Sequence, residues 1–191
     1  MDLNNLRDRV YKNAVAHGWH EENLSDEHCL CLVISELMEA VQADRKIRRH
    51  PDIETFNRQI YYYERLVEGK NYNRMFRDMY NLSIKDTVED ELADACIRLF
   101  DLAGLRGEDI KYIDSFCIPS NASFTEYMYA LCSMITNPYK SDKGWLSQHI
   151  SYCLGWIFSW CKDKKIDIMW YIEQKMKYNE LRPYKHGNKK Y

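Results

Sequence analysis

Glycine and proline are scarce in this sequence, with only 7 and 4 among 191 residues. Because these residues supply tight turns, their scarcity favours helices over a turn-rich β fold. No run reaches the roughly 18 apolar residues that a membrane-spanning helix needs. The first ten residues, MDLNNLRDRV, also lack the apolar stretch of a signal peptide. We therefore predict an all-α helical bundle, located in the cytoplasm.

An excess of charge of one sign is also missing, since 27 basic and 29 acidic side chains give a net charge of -2. This balance argues against general binding to nucleic acid, and only the C-terminal end is locally basic. The seven cysteines are odd in number and form no CxxC pair, which disfavours disulfides and zinc sites. We expect reduced thiols, no nucleic-acid partner and no membrane partner.

Apolar residues recur at three- and four-residue steps along several segments, the pattern of helices with one buried face. The length suits one domain over 1–191. Between the second and third predicted helices, residues 51–84 are interpreted as a helical excursion with a break around 69–73. The main predicted helices span 4–16, 26–49, 85–104, 123–137, 145–161 and 168–180. Their predicted N-caps include Ser25, Asp86 or Thr87, Ser123 in a capping box with Glu126, and Asp167, and Gly104 is predicted to end the 85–104 helix.

Two of the predicted helices carry acidic pairs at a three-residue spacing: Glu36 with Glu39, and Glu91 with Asp94. A single pair of this kind is common on a solvated surface. Two pairs beside apolar stripes would converge if the helices pack antiparallel, and their charges would then repel strongly. Mg²⁺ accepts such oxygen ligands, with Mn²⁺ able to substitute, and no His/Cys cluster competes for zinc. The pairs therefore predict a magnesium site.

Residues suited to nucleotide binding occur outside the acidic pairs. Lys175, Asn179 and Arg182 can share a face of the last helix. Their positive charge suits phosphate, or else an ordinary solvated helix end where cations favour the helix dipole. Trp19 and His20 precede the second helix, where they form part of a base pocket or anchor the loop to the bundle.

The ordered motifs resemble the all-α nucleoside triphosphate pyrophosphohydrolases, a superfamily of MazG proteins, dCTP pyrophosphatases and dimeric dUTPases. The SELMEA segment at 35–40 and the ELAD segment at 91–94 resemble its ExxE…ExxD pattern, most closely in the MazG-like branch. Lys175 to Gly187, which includes Lys185 and His186, resembles its closing KxxxN…R segment. The resemblance also includes the GWH segment at 18–20 and IRLFDLA at 97–103, and covers roughly 10–48, 85–113 and 165–191.

This resemblance implies Mg²⁺-dependent hydrolysis of a (d)NTP to the (d)NMP and pyrophosphate by a homodimer or higher homo-oligomer. One of the implied metal ligands would also act as general base, with Glu36 as first choice. The carboxylates implied as metal ligands and catalytic groups are Glu36, Glu39, Glu91 and Asp94. The residues implied to bind the substrate are Lys175, Asn179, Arg182, Lys185, Trp19 and His20.

Two features depart from the superfamily pattern. Ser35 stands where many relatives have the first of two glutamates. The acidic motifs are also further apart than usual, so segments at about 51–84 and 114–164 are interpreted as insertions. The alternative function is a non-catalytic helical module that binds a partner on the same scaffold. The intact acid quartet favours the enzyme, because a binding module has no need to hold four acids together.

Overall fold

Eight α-helices and no strand make up the described part of the chain, which confirms the predicted all-α class. The computed structural model describes residues 2–67, 69–111, 113, 116–119, 121–140 and 144–185, and only the backbone of Lys70. His186 and Gly187 of the predicted closing segment lie outside these residues. None of the described helices combines the length and apolar character needed to cross a membrane. The helices are α1 (Leu3–Ala16), α2 (Asp26–Arg45), α3 (Ile53–Leu66), α4 (Gly69–Ser83), α5 (Val88–Arg106), α6 (Phe124–Thr136), α7 (Trp145–Asp163) and α8 (Ile168–Glu180).

Helix α5 is the centre of the bundle, in contact with α1, α2, α7 and α8. Leu92 and Leu99 are fully buried, as are most of the residues around them on every side of the helix. A helix that is apolar all round must be surrounded by other elements. The three acids of its first turn, Glu89, Asp90 and Glu91, are therefore buried with it.

Side-chain caps define the starts of several helices. Ser25 Oγ accepts a hydrogen bond from the N–H of the third residue of α2, and Thr87 Oγ1 does the same for α5. Ser123 and Glu126 form the reciprocal capping box of α6. Asp167 caps α8, which spans the predicted residues. These predicted caps are confirmed.

Two helix ends differ from the prediction. α2 ends at Arg45, earlier than predicted, because the chain then turns into loop at Ile47, whose φ is 58° and whose exposure is 84%. An exposed isoleucine there adds nothing to the buried stripe that would sustain the helix. α5 continues through Gly104 and ends at Gly107, which adopts the left-handed φ of 67° typical of a helix terminus.

Gly104 has a packing role instead of a terminal one. A Cβ atom at position 104 would lie 2.4 Å from the Cβ of Tyr11 on α1, well inside van der Waals contact. Only a residue without a side chain allows α1 to come this close to the backbone of α5. This close approach sets the loop that follows α1, with Trp19 and His20, beside the central helix.

The two segments interpreted as insertions are helical and pack onto the rest of the bundle. α3 and α4 pack on each other, and α4 also reaches α8, where the ring of Tyr80 stacks on Tyr178 at 4.5 Å. α6 packs on α2 and on α7, and α7 packs on α5. The first segment thus supports α8 next to the central helix.

Candidate metal and nucleotide site

Packing of α2 against α5 brings three of the four predicted carboxylates together. One oxygen from each of Glu36, Glu91 and Asp94 lies within 4.8 Å of the other two. Carboxylate oxygens without histidine or cysteine are the ligands that hard divalent cations prefer. The arrangement can therefore hold a Mg²⁺ or Mn²⁺ ion through side chains of two helices that are distant in sequence.

Glu91 is the least compensated member of this cluster. It is 4% exposed, and its carboxylate has no hydrogen bond or ion pair with any described residue. By contrast, Glu36 Oε1 lies 3.1 Å from Arg98 Nε, and Asp94 Oδ2 lies 2.9 Å from Lys175 Nζ. A buried carboxylate without a partner is costly, so the position calls for a cation.

Glu39, the fourth predicted ligand, lies outside the cluster on the exposed surface of α2. The rotation of α2 against α5 directs Glu36 into the interface between the two helices and leaves Glu39, three residues further on, on the solvent side. Its negative charge is still close enough to raise the pKa of both Glu36 and Glu91. The convergence predicted for four carboxylates is therefore a cluster of three with one nearby.

Burial and crowding of like charges shift the pKa values of the cluster. Burial, aided by the charges of Asp94 and Glu39, raises the pKa of Glu36 to about 7. Burial and the charge of Asp90 raise the pKa of Glu91 to about 9. Burial by itself would also raise the pKa of Asp94, but the Lys175 and Arg98 charges outweigh it and lower that pKa. Without an added cation, the Glu91 carboxyl thus favours its protonated form at neutral pH, and the Glu36 carboxyl titrates around neutral pH.

Lys175 lies beneath the cluster with its ammonium group between two carboxylates. Its Nζ is 2.9 Å from Asp90 Oδ1 and 2.9 Å from Asp94 Oδ2, and the residue is only 4% exposed. Asp90 also accepts a hydrogen bond from the Tyr80 hydroxyl and another, of 2.9 Å, from the N–H of Asp86. Burial alone would lower the pKa of Lys175, but its two acidic partners raise it, so the side chain stays charged.

Asp90 and Arg98 are two residues of the site that the sequence analysis did not identify. Asp90 looks like an ordinary acid of a helix first turn, where negative charge favours the dipole. The feature that could have indicated the burial of Asp90 is the apolar character of α5 on all sides, because a helix that is buried all round also buries its first turn. Arg98, one turn after Asp94, could have been expected to balance an acid on a neighbouring helix.

A small open cleft, with room of about 70 Å³, lies next to the acid cluster. It brings Trp19, Asn179 and Arg182, three of the residues predicted to bind substrate, to the same place as Asp94. The Oδ1 atom of Asn179 is buried there and accepts no hydrogen bond from the described residues. It can therefore accept one from a ligand.

His20 and Lys185 are placed differently from the residues of the cleft wall. His20 Nε2 lies 2.8 Å from Asp101 Oδ1, and its ring packs against Tyr11. Asp101 lines the cleft, so His20 is linked to the site by its contact with the Asp101 carboxylate and does not line the cleft itself. Lys185 Nζ forms a 2.6 Å ion pair with Glu21, which ties the end of the chain to the loop that carries Trp19.

The geometry described so far is an acidic cluster beside a cleft that offers a guanidinium, an amide and an indole ring. Comparisons of the chain with protein-family models, with curated proteins and with solved structures give no match. Membership of the superfamily suggested by the motifs therefore stays a prediction.

Proposed function

We propose that this protein is a Mg²⁺-dependent hydrolase that converts a nucleoside triphosphate to the monophosphate and pyrophosphate. One observation carries the proposal: the side chain of Glu91 is 4% exposed, and its carboxylate forms no hydrogen bond or ion pair with the described residues. It lies within 4.8 Å of Glu36 and Asp94. Asp94 also lines the cleft, so a cation held by the three carboxylates would face the space that a ligand would fill.

Glu36, Glu91 and Asp94 would hold Mg²⁺, or Mn²⁺ in its place, and their donor set suits either ion. When bound, the ion neutralises phosphate oxygens and lowers the pKa of a coordinated water. Glu39 would contribute through its charge from the edge of the cluster. The exposed position of Glu39 fits a weaker role than that of the three buried carboxylates.

Residues of the cleft account for binding of the nucleotide. Arg182 can bind phosphate oxygens through the two parallel N–H groups of its guanidinium. Asn179 can accept a hydrogen bond from a sugar hydroxyl or a base amino group at its free Oδ1. Trp19 offers an aromatic face on which a base can stack. A triphosphate with a base has all three kinds of group.

In the proposed reaction a water oxygen forms a bond to the α-phosphorus. The bond from that phosphorus to the oxygen that bridges it to the β-phosphorus breaks, and pyrophosphate leaves with the electron pair. Glu36 is suited to take the proton from the water, because Arg98 holds only Oε1 and leaves Oε2 available. Arg98 thereby orients the carboxylate while keeping its charge balanced.

The test is pyrophosphate release from a panel of ribo- and deoxyribonucleoside triphosphates, with Mg²⁺ and with EDTA. We expect release that depends on the metal, and a loss of at least about 100-fold in Glu91→Gln, the scale seen when one oriented electrostatic group is removed. Glu54→Gln, which changes an exposed glutamate on α3, serves as the matched control and should keep full activity.

Circular dichroism should show the same helical content in both variants, so that lost activity cannot be attributed to unfolding. Absence of release from every nucleotide by the folded protein would overturn the proposal in favour of a partner-binding module. Assembly as a homodimer or higher homo-oligomer, which the motif resemblance implies, is tested separately by light scattering during size-exclusion chromatography.

A further inference from the structure

The carboxylates in and next to the acid cluster outnumber the cations that contact them. Lys175 links Asp90 to the carboxylates of Glu36, Glu91 and Asp94 in one contiguous group, and Arg98 and Lys175 are the cations in direct contact with it among the described residues. In their ionised forms, which a bound cation favours, the four carboxylates carry four negative charges against two positive charges, an excess of two.

We propose that Lys175 is a fixed cation of the metal site, so that the protein without nucleotide holds one divalent ion per chain. This inference rests on the metal site of the proposed function. One Mg²⁺ ion supplies the two positive charges that the contiguous group lacks. Glu91 forms no ion pair of its own with a described residue, so its carboxylate is the one that most needs this charge.

The geometry of Lys175 leaves no room for a second ion beside it. Its Nζ already bridges Asp90 and Asp94 at 2.9 Å each, which is where another divalent ion would share the same two carboxylates. A Mg²⁺ ion needs oxygen ligands at about 2.0–2.1 Å. Such an ion would meet an ammonium group at close range in a poorly hydrated site, where repulsion between like charges is strong.

The same contacts argue against Lys175 as the phosphate ligand that the sequence suggested. A phosphate-binding lysine must offer N–H groups to the cleft, whereas Lys175 is buried and does not line it. Among the described residues of α8 and of the segment up to Lys185, Arg182, three positions past Asn179, is the basic residue that lines the cleft. Lys175 therefore acts on the metal through Asp94 and Asp90, as a positioning residue.

The experiment counts Mn²⁺ ions bound to the full chain without nucleotide, by electron paramagnetic resonance of free Mn²⁺ and by calorimetry. We expect one ion per wild-type chain and two in Lys175→Ala, which removes the ammonium group and opens space beside Asp90 and Asp94. The double variant Asp90→Asn with Lys175→Ala should return to one ion. Lys177→Ala changes a partly exposed lysine on the same helix and should leave the count at one.

Each outcome separates this inference from the proposed function. Two ions on the wild-type chain would overturn the role of Lys175 while leaving a metal-dependent enzyme intact. No bound ion at all would overturn the metal site and the proposed function with it. If Lys175→Ala does not fold, Asp90→Asn decides, because one carboxylate fewer should weaken Mn²⁺ binding about tenfold. Unchanged Mn²⁺ affinity in Asp90→Asn would contradict the inference.

Discussion

Arg98 Nε on α5 lies 3.1 Å from Glu36 Oε1 on α2, and this ion pair joins the two helices that supply the acid cluster. The two residues are 62 positions apart in sequence. Glu36 is 7% exposed, and Arg98 is its ion-pair partner among the described residues. The pair therefore both fastens the helices and sets the charge state of one proposed metal ligand.

Replacing Arg98 by methionine should raise the pKa of Glu36 above its value of about 7, because both the charge and the hydrogen bond of Arg98 lower it. The rising limb of the pH profile of kcat/KM for pyrophosphate release should then move to higher pH. Arg98→Lys should move it less, since the charge remains while the planar fork is lost. An unshifted profile in Arg98→Met would show that Glu36 does not govern the pH dependence.

The stability of the metal-free protein should fall as pH rises from about 5 to about 9. The pKa of Glu91 is raised to about 9 and that of Glu36 to about 7, so the folded state binds more protons than the unfolded state in this window. Their contribution to stability is then fully present below the pKa values that these carboxyls have in the unfolded state. It is lost as the pH rises through the pKa values that they have in the folded state.

Urea denaturation in EDTA at pH 5, 7 and 9 measures this trend. Glu91→Gln removes the more strongly shifted carboxyl and should flatten the decline compared with wild type. Saturating Mg²⁺ should stabilise the wild-type protein most at pH 9, because metal binding displaces the protons that the carboxyls hold at lower pH. Equal slopes for wild type and Glu91→Gln would rule out a raised pKa at that residue.

The pair formed by His20 and Asp101 should affect substrate binding more than turnover. His20 Nε2 and Asp101 Oδ1 are 2.8 Å apart, and Asp101 lines the cleft. In Asp101→Asn the histidine loses its charged partner and with it the orientation of the adjoining loop. We expect KM for the nucleotide to rise several-fold with kcat nearly unchanged. Asp78→Asn, an exposed change on α4, is the control, and a loss of kcat alone would contradict this role.

A side chain at position 104 should destabilise the fold. In Gly104→Ala the new Cβ would lie 2.4 Å from Tyr11 Cβ, so α1 must move away from α5. Overpacking of this kind costs about 1–3 kcal/mol, and alanine's better helix propensity returns only about 1 kcal/mol. Chemical denaturation should therefore show a lower free energy of unfolding. An increase in stability would mean that the two helices separate at little cost.

The number and type of the main helices could be predicted from the sequence because their causes are local. Apolar residues at helical spacing mark the buried faces, and Ser25, Ser123 and Asp167 provide caps that act within three residues. The ends of the helices could be predicted less well from the sequence. Gly104 looked like a terminator until its contact with Tyr11 showed why a glycine is needed inside α5.

The acidic residues of the candidate site could be predicted from the sequence, but the basic residues that balance their charge could not. The spacing of Glu36, Glu91 and Asp94 beside apolar stripes indicated that they would meet. Nothing local indicated that Lys175 would be buried between Asp90 and Asp94, because that depends on where α8 docks. The exposure of Glu39 likewise depends on how α2 is rotated against α5.

The sequence by itself thus determined the all-α class, the main helices and the acidic pairs, since hydrophobic periodicity and capping are set by neighbouring residues. Only the tertiary structure decided which carboxylates converge, which cations compensate them and which carboxylate remains unpaired. Those outcomes depend on burial and on distances of a few ångströms between helices far apart in the chain, where the cost of an unbalanced charge is greatest.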